Sequence, residues 1–368
     1  MSARTSSAGL QACRLAIAVV LSCVAVDAHK PITSKYTFSE DVYPIVKAHC
    51  GGCHVAGGIA PMSLMTYEDA RPWAESIRLE LTSGHMPPWY GDPSVAPLRD
   101  VHKLSPRDLD VVLTWVTGGT PPGPSTKIAT VTPRRSWAKG PPDIVVPIPA
   151  TVSLPAGTNE DTREFVLRDA NDRDRMIAFA DLLPGNPAVV HDATIFTRQP
   201  GSAQAAAVLA VWLPGDTPAV PGAGLGFAWH AGEQLVAHIH YKKNWKLENK
   251  AASDRSAVGL YLAKSPSPRT IRGIALQPGQ AVAVDDAVQG VAVRASDALS
   301  DVRVQVDAIR PDGSRVPVAA FVTRAGWDQR YWLARPVELP RGTRLELNMS
   351  GWRVTPIHIW LDTVTASS

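Results

Sequence analysis

The sequence predicts a multidomain chain in which a small all-α domain is followed by an all-β region built as tandem sandwiches. Three observations carry this. The 368 residues are enough for two or three domains at about 100–200 residues each. Helical periodicity is confined to the first third of the chain. After Val116, short runs with β-branched residues recur between Gly, Pro and Asp turns, and no long 3.6-residue period is found. Proline is abundant, 32 residues or about 9% against a usual ~5%, which suits turns and sheet edges and disfavours a long helical bundle. Hydrophobic residues make up 45% and charged residues 19%, an apolar enough balance to exclude a disordered chain. A net charge of +3 is too small to argue for a nucleic-acid partner.

Residues 1–28 read as a secretory signal peptide. Arg4 and Arg14 supply positive charge, and Leu15 to Val26 is an apolar run too short for a comfortable membrane span. Val26-Asp27-Ala28 then places small residues at −3 and −1 of a cleavage site. The expected location is periplasmic or secreted. No later stretch reaches ~18 apolar residues, so no transmembrane segment is expected in the mature protein. Cys13 and Cys23 leave with the signal, and only Cys50 and Cys53 remain. That excludes a disulfide framework. His29, the new N-terminus, is read as a coincidence of the cleavage site.

Cys50-Gly51-Gly52-Cys53-His54 is C-x-x-C-H, the covalent attachment pattern for one c-type haem. Two thiols form thioethers at the macrocycle edge, and the adjacent histidine falls under the iron. A zinc site would need further cysteines, and a redox dithiol would need a surrounding βαβ pattern; neither is found. Helical signals flank the motif. Ser39-Glu40-Asp41 opens a helix carrying Val42, Ile45 and Val46. Asp69 to Leu81 reads as a second helix closed by Gly84. Ser105-Pro106 caps a third, which buries Leu109, Val112, Leu113 and Val116 around Trp115. For the second axial ligand the sequence points to Met86, in a loop stiffened by Pro87 and Pro88. Met62 and Met65 read as core, and His85 would demand a different loop. His49 and His102 read as solvated or packing residues.

The Pro/Gly-rich stretch 121–140 is a semi-rigid connector. Strands are expected at Asp143–Ile148, Glu164–Leu167, Ala188–Arg198, Leu235–Tyr241, Val302–Ile309, Arg344–Leu347 and Pro356–Val364, with a turn at Pro311-Asp312-Gly313. The organisation expected is therefore a signal peptide at 1–28, the α domain at 32–120, the linker at 121–140, and two sandwiches at 141–260 and 261–368.

Thr37-Phe38-Ser39, the C-x-x-C-H motif, Ala60-Pro61-Met62-Ser63-Leu64 and Met86-Pro87-Pro88-Trp89 together resemble a bacterial cytochrome c domain, over about residues 32–120. In that family it is commonly fused ahead of a copper monooxygenase-like module. Residues 137–368 resemble the peptidylglycine α-hydroxylating and dopamine β-monooxygenase family, through Pro142-Asp143-Ile144, Leu154-Pro155-Ala156-Gly157, Val189-Val190-His191-Asp192-Ala193, Leu235 to Tyr241, and Trp332 to Leu345. This resemblance implies two β-sandwiches, one copper site that stores an electron and another that activates oxygen. In the electron-storing site His191 matches the first histidine and His240 the third, while Asp192 replaces the second. His238, two residues from His240 on the same strand face, would restore a three-histidine site for one copper ion. His230 reads as structural. At the oxygen-activating site the family's His-x-His is replaced by Gln305-Val306-Asp307, and the methionine ligand aligns near Pro356, with Met349 and His358 outside the motif. The expected function is an exported haem protein of electron transfer, working with a redox partner protein or a small-molecule donor or acceptor. The β-module would have lost its oxygen-activating ligands. The alternative is a haem-fed copper-dependent monooxygenase acting on a small substrate.

Overall fold

A computed structural model describes residues 32–100, 102–125, 131–264, 269–350 and 357–366. The expected signal peptide, Cys13, Cys23, His29 and Pro356 lie outside these residues. Among the described residues no helix is long and apolar enough to cross a membrane.

Among the described residues four short helices come first: α1 (Tyr43–His49), α2 (Tyr67–Ala70), α3 (Ala74–Ser83) and α4 (Pro106–Thr117). A π-turn, Phe38–Val42, leads into α1, and the Thr37 amide donates to Asp41 Oδ2 at 2.8 Å. The stretch expected as one helix over Asp69–Leu81 is broken between α2 and α3 by a 3₁₀ turn, Arg71–Trp73. Pro72 is the cause, since it lacks the N–H that would continue the ladder. The C-terminus of α3 is closed by Gly84 at φ +71°, a left-handed cap that glycine adopts without strain. Ser105 caps α4 by accepting from the Asp108 amide at 3.1 Å. Phe38, Val42, Val46, Val112 and Trp115 form the core of this layer.

The rest is β. The first sandwich pairs a five-stranded sheet (order Ile144–Pro147, Ala257–Leu262, Arg175–Leu183, Leu225–Trp229, Arg269–Thr270) with a four-stranded sheet (order Glu160–Arg168, Gln234–Lys242, Val190–Arg198, Ala207–Trp212). A two-stranded ribbon, Val152–Leu154 with Ala252–Asp254, sits beside them. Ile177, Leu182 and Leu260 from one sheet and Ile195, Ile239 and Tyr241 from the other meet in a shared core. The second sandwich pairs Arg272–Leu276, His358–Thr365, Val288–Ser296 and Gln329–Leu339 with Val282–Ala283, Arg344–Ser350, Arg303–Ile309 and Arg315–Val322. Val291, Ala292, Trp332 and Val364 of the second sandwich join the first sandwich's core, so the two are welded rather than tethered.

The expected fold class needs correction. The described residues are predominantly β, and among them no separate all-α cytochrome c domain stands ahead of the sandwiches. The segment between α3 and α4 explains why. It leaves the helical layer and bonds to the second sandwich: Asp92 N to Ala320 O (2.8 Å), Val322 N to Tyr90 O (3.1 Å), Arg99 N to Trp332 O (2.8 Å) and Ala334 N to Pro97 O (2.9 Å). Leu98 is buried in that sandwich's core, and Trp89 meets Tyr331 edge-on at 5.6 Å. Four prolines at 87, 88, 93 and 97 keep this segment extended and free to add to a sheet. The helices are therefore a layer on a β protein.

Candidate functional site

The residues of C-x-x-C-H lie where α1 ends. Cys50 closes that helix, and the amides of Cys53 and His54 donate back to its carbonyl at 3.1 and 2.9 Å. This tight turn brings both thiols and the imidazole to one cavity of about 360 Å³. Met86, Pro87, Pro88 and Trp89 line the same cavity, as do His49 and His102. Its far side belongs to the β region: the turn Leu213–Asp216, the stretch Lys242–Trp245, His191 and Trp327. The two sides are locked together. Gly52 packs on Gly215 so closely that a Cβ on Gly52 would stand 2.9 Å from Gly215 Cα. Asn244 Nδ2 donates to Ile59 O at 3.2 Å.

Both cysteines are free. Burial pushes each thiol up to about 12, and for Cys53 the nearby Asp216 carboxylate adds to the effect. Neutral thiols suit an apolar cavity and oppose a redox dithiol, whose chemistry needs a thiolate. Burial holds the His54 imidazole below its ordinary value. Its Nδ1 donates to the Met62 carbonyl at 3.2 Å, which turns Nε2 into the free, basic nitrogen. The donor set (two thiols, one oriented imidazole and a thioether on one cavity) fits a c-type haem.

The second cluster is built by a β-bulge. In the pairing of Val190–Arg198 with Gln234–Lys242, Val190 faces Tyr241 and Asp192 faces His240, so His191 is the extra residue. A bulge re-aims side chains, and both His191 and Asp192 reach His240. Asp192 Oδ2 lies 2.7 Å from His191 Nδ1 and 2.8 Å from His240 Nδ1. One ligand atom from each residue lies within 4.8 Å of the others. His240 Nε2 is held at 2.7 Å by Glu160 Oε1, which also pairs with Lys242 at 3.4 Å. Burial works against the charged form of Asp192, but hydrogen bonds from His191 and His240 prevail and hold its carboxyl low. Burial likewise opposes the charge on His240, yet Asp192 and Glu160 raise it overall. The Trp327 ring packs 4.4 Å from that of His191.

His238 is not part of this cluster. It faces Thr194 and Glu164 across the sheet and is exposed. Asp192 lies opposite His240 rather than His238, and the ligand atoms that converge are those of His191, Asp192 and His240. His230 is an exposed partner of Asp174 at 3.6 Å. At the other family position, Asp307 is buried and receives hydrogen bonds from Gln305, Arg315 and Asn348. His358 pairs with Asp297 at 3.1 Å, and Met349 packs against the second core.

In the sequence Asp192 reads only as a lost ligand, and nothing marks Glu160, Asp216, Gly215 or Trp327. The adjacency of His191 and Asp192 was a signal for the first. The others lie far along the chain and carry no motif.

No family model matches this chain, and no curated protein does. Among solved structures, the PBSX exported protein XepA aligns with TM-score 0.19 at 11% identity, covering 64% of this chain and 90% of that one. A structure of the infectious bursal disease virus Gx strain aligns with TM-score 0.18 at 11% identity, covering 60% and 72%. A Paenibacillus xanthan lyase gives TM-score 0.18 at 10% identity, covering 68% of this chain and 28% of its own. Similarity this low carries no argument about fold or activity.

Proposed function

We propose that this chain is an exported c-type haem protein of electron transfer, with its haem held between the helical layer and the β-sandwiches. One observation carries the reading: Cys50, Cys53, His54 and Met86 line a single cavity, with both thiols free and the His54 ring fixed through Nδ1. Cys50 and Cys53 would hold the macrocycle by thioethers. His54 Nε2 and the Met86 sulfur would ligate the iron. Bound there, haem supplies reversible one-electron chemistry, at the raised potential that Met/His ligation gives.

The other wall residues serve this chemistry. Trp89 and Trp327 give the cavity an apolar wall, which would favour the less charged state of a bound group. The Gly52–Gly215 contact and the Asn244 hydrogen bond fix the attachment turn against the sandwich. Electrons would pass to a redox partner protein or a small-molecule donor or acceptor. The haem-fed monooxygenase reading gains no support from the second sandwich, where Arg315 and Asn348 engage Asp307. Separate Cys50→Ala and Cys53→Ala variants test the attachment. Each should keep haem through one thioether, with the haemochrome α band moved toward that of a vinyl-bearing haem. An unmoved band in either variant would show that its sulfur is not bonded.

A further inference from the structure

We infer that His191, Asp192 and His240 bind a divalent first-row cation of the zinc or ferrous type, and that they do not retain cuprous ion as a three-histidine site would. The inference stands whether or not haem is attached. The three-imidazole set expected from the family resemblance does not fit: His238 is exposed and lies opposite Thr194, and the third converging donor is Asp192. The donors that do converge are two imidazole nitrogens and one carboxylate oxygen. Two histidines with one carboxylate suit ferrous iron or zinc. Cuprous ion prefers soft or all-imidazole surroundings, and a carboxylate is a hard donor.

The arrangement is built rather than accidental. His191 and Asp192 are each 8% exposed, and the bulge at His191 is what aims both at one point. Asp192 Oδ2 sits between the two Nδ1 atoms at 2.7 and 2.8 Å. In the metal-free chain, protons on these nitrogens fill the gap. A divalent ion would replace them, since ligands bind metal as neutral imidazole and carboxylate. Glu160 at 2.7 Å from His240 Nε2 is the outer carboxylate that usually orients a ligating histidine. His191 also walls the larger cavity, which gives an ion a way in.

Calorimetric titration of the chelator-treated full-length mature protein with Zn²⁺ tests this, alongside a Cu⁺ competition against a cuprous chelator. Wild type should bind one Zn²⁺ per chain. Asp192→Asn keeps the shape and should bind at least 100-fold more weakly, and Glu160→Gln about 10- to 100-fold more weakly. Asp192→His should gain Cu⁺ retention that wild type lacks. His240→Gln gives a second loss variant should Asp192→Asn fold poorly. Zinc binding by Asp192→Asn equal to wild type, or no Zn²⁺ uptake by wild type, would overturn the inference. So would equal Cu⁺ retention by wild type and Asp192→His.

Discussion

Replacing Asp328 with asparagine should remove a pH-dependent cost built into the fold. Asp328 follows Trp327, the residue packed on His191. Burial, with the neighbouring charges of Asp192 and Asp297, pushes its carboxyl from 3.8 up to about 7, against hydrogen bonds from the Asp297 amide and the Thr194 hydroxyl. The folded-state value is raised, so the contribution to stability is fully present below the unfolded value and is lost as pH climbs through the folded one. Below pH 4 the group is protonated in both states. Between pH 4 and 7 the unfolded chain releases the proton and the folded chain keeps it, so folding weakens. A shift from 3.8 to about 7, at about 1.4 kcal/mol per pH unit, amounts to on the order of 4 kcal/mol. Asparagine cannot ionise. It can still accept from the Asp297 amide (3.0 Å) and reach Thr194 Oγ1 (3.3 Å). Urea unfolding of both proteins at pH 4.5 and pH 8 measures the effect. The variant should gain several kcal/mol on wild type between the two. A difference between the proteins that stays constant with pH would show that Asp328 carries no such cost.

Three further substitutions have expected outcomes. Gly215→Ala places a Cβ at φ +80° that collides with Gly52 Cα. It should cost about 2 kcal/mol or more and lower the haem content per chain. Gly232→Ala, at φ +83° with nothing within 4 Å, should cost only the left-handed strain of about 1–2 kcal/mol and leave haem content unchanged, as thermal unfolding and absorbance will report. Met86→Ala should abolish the weak far-red band of thioether–iron ligation and lower the reduction potential; an unchanged spectrum would assign the axial position to another residue.

The parts of this molecule that were legible in the sequence are those with local causes. Ser105 and Asp108 announce the start of α4, Gly84 announces the end of α3, and β-branched runs mark strands such as Arg303–Ile309. The strand Arg175–Leu183 carries no clear strand signal, because it lies inside its sheet and buries Asp181, whose charge Arg134 meets at 2.8 Å. A buried charge breaks the period on which strand reading depends. The segment 89–100 reads as a proline-rich loop, and its pairing partners lie more than 200 residues away. This is why a self-contained helical domain was expected and is not found. At the second cluster, spacing alone joined His238 to His240. The bulge at His191 decides otherwise, and no local pattern shows that Glu160 meets His240 across 80 residues.

The proposed electron-transfer role requires that Cys50, Cys53 and His54 hold a haem against the β-sandwiches. The pyridine haemochrome assay on mature protein, after acid–acetone extraction, tests it most directly. One haem per chain should stay with the protein and show the spectrum of two thioether bonds. A haem that extracts into the solvent, or none at all in protein exported by a strain able to attach c-type haem, would contradict it.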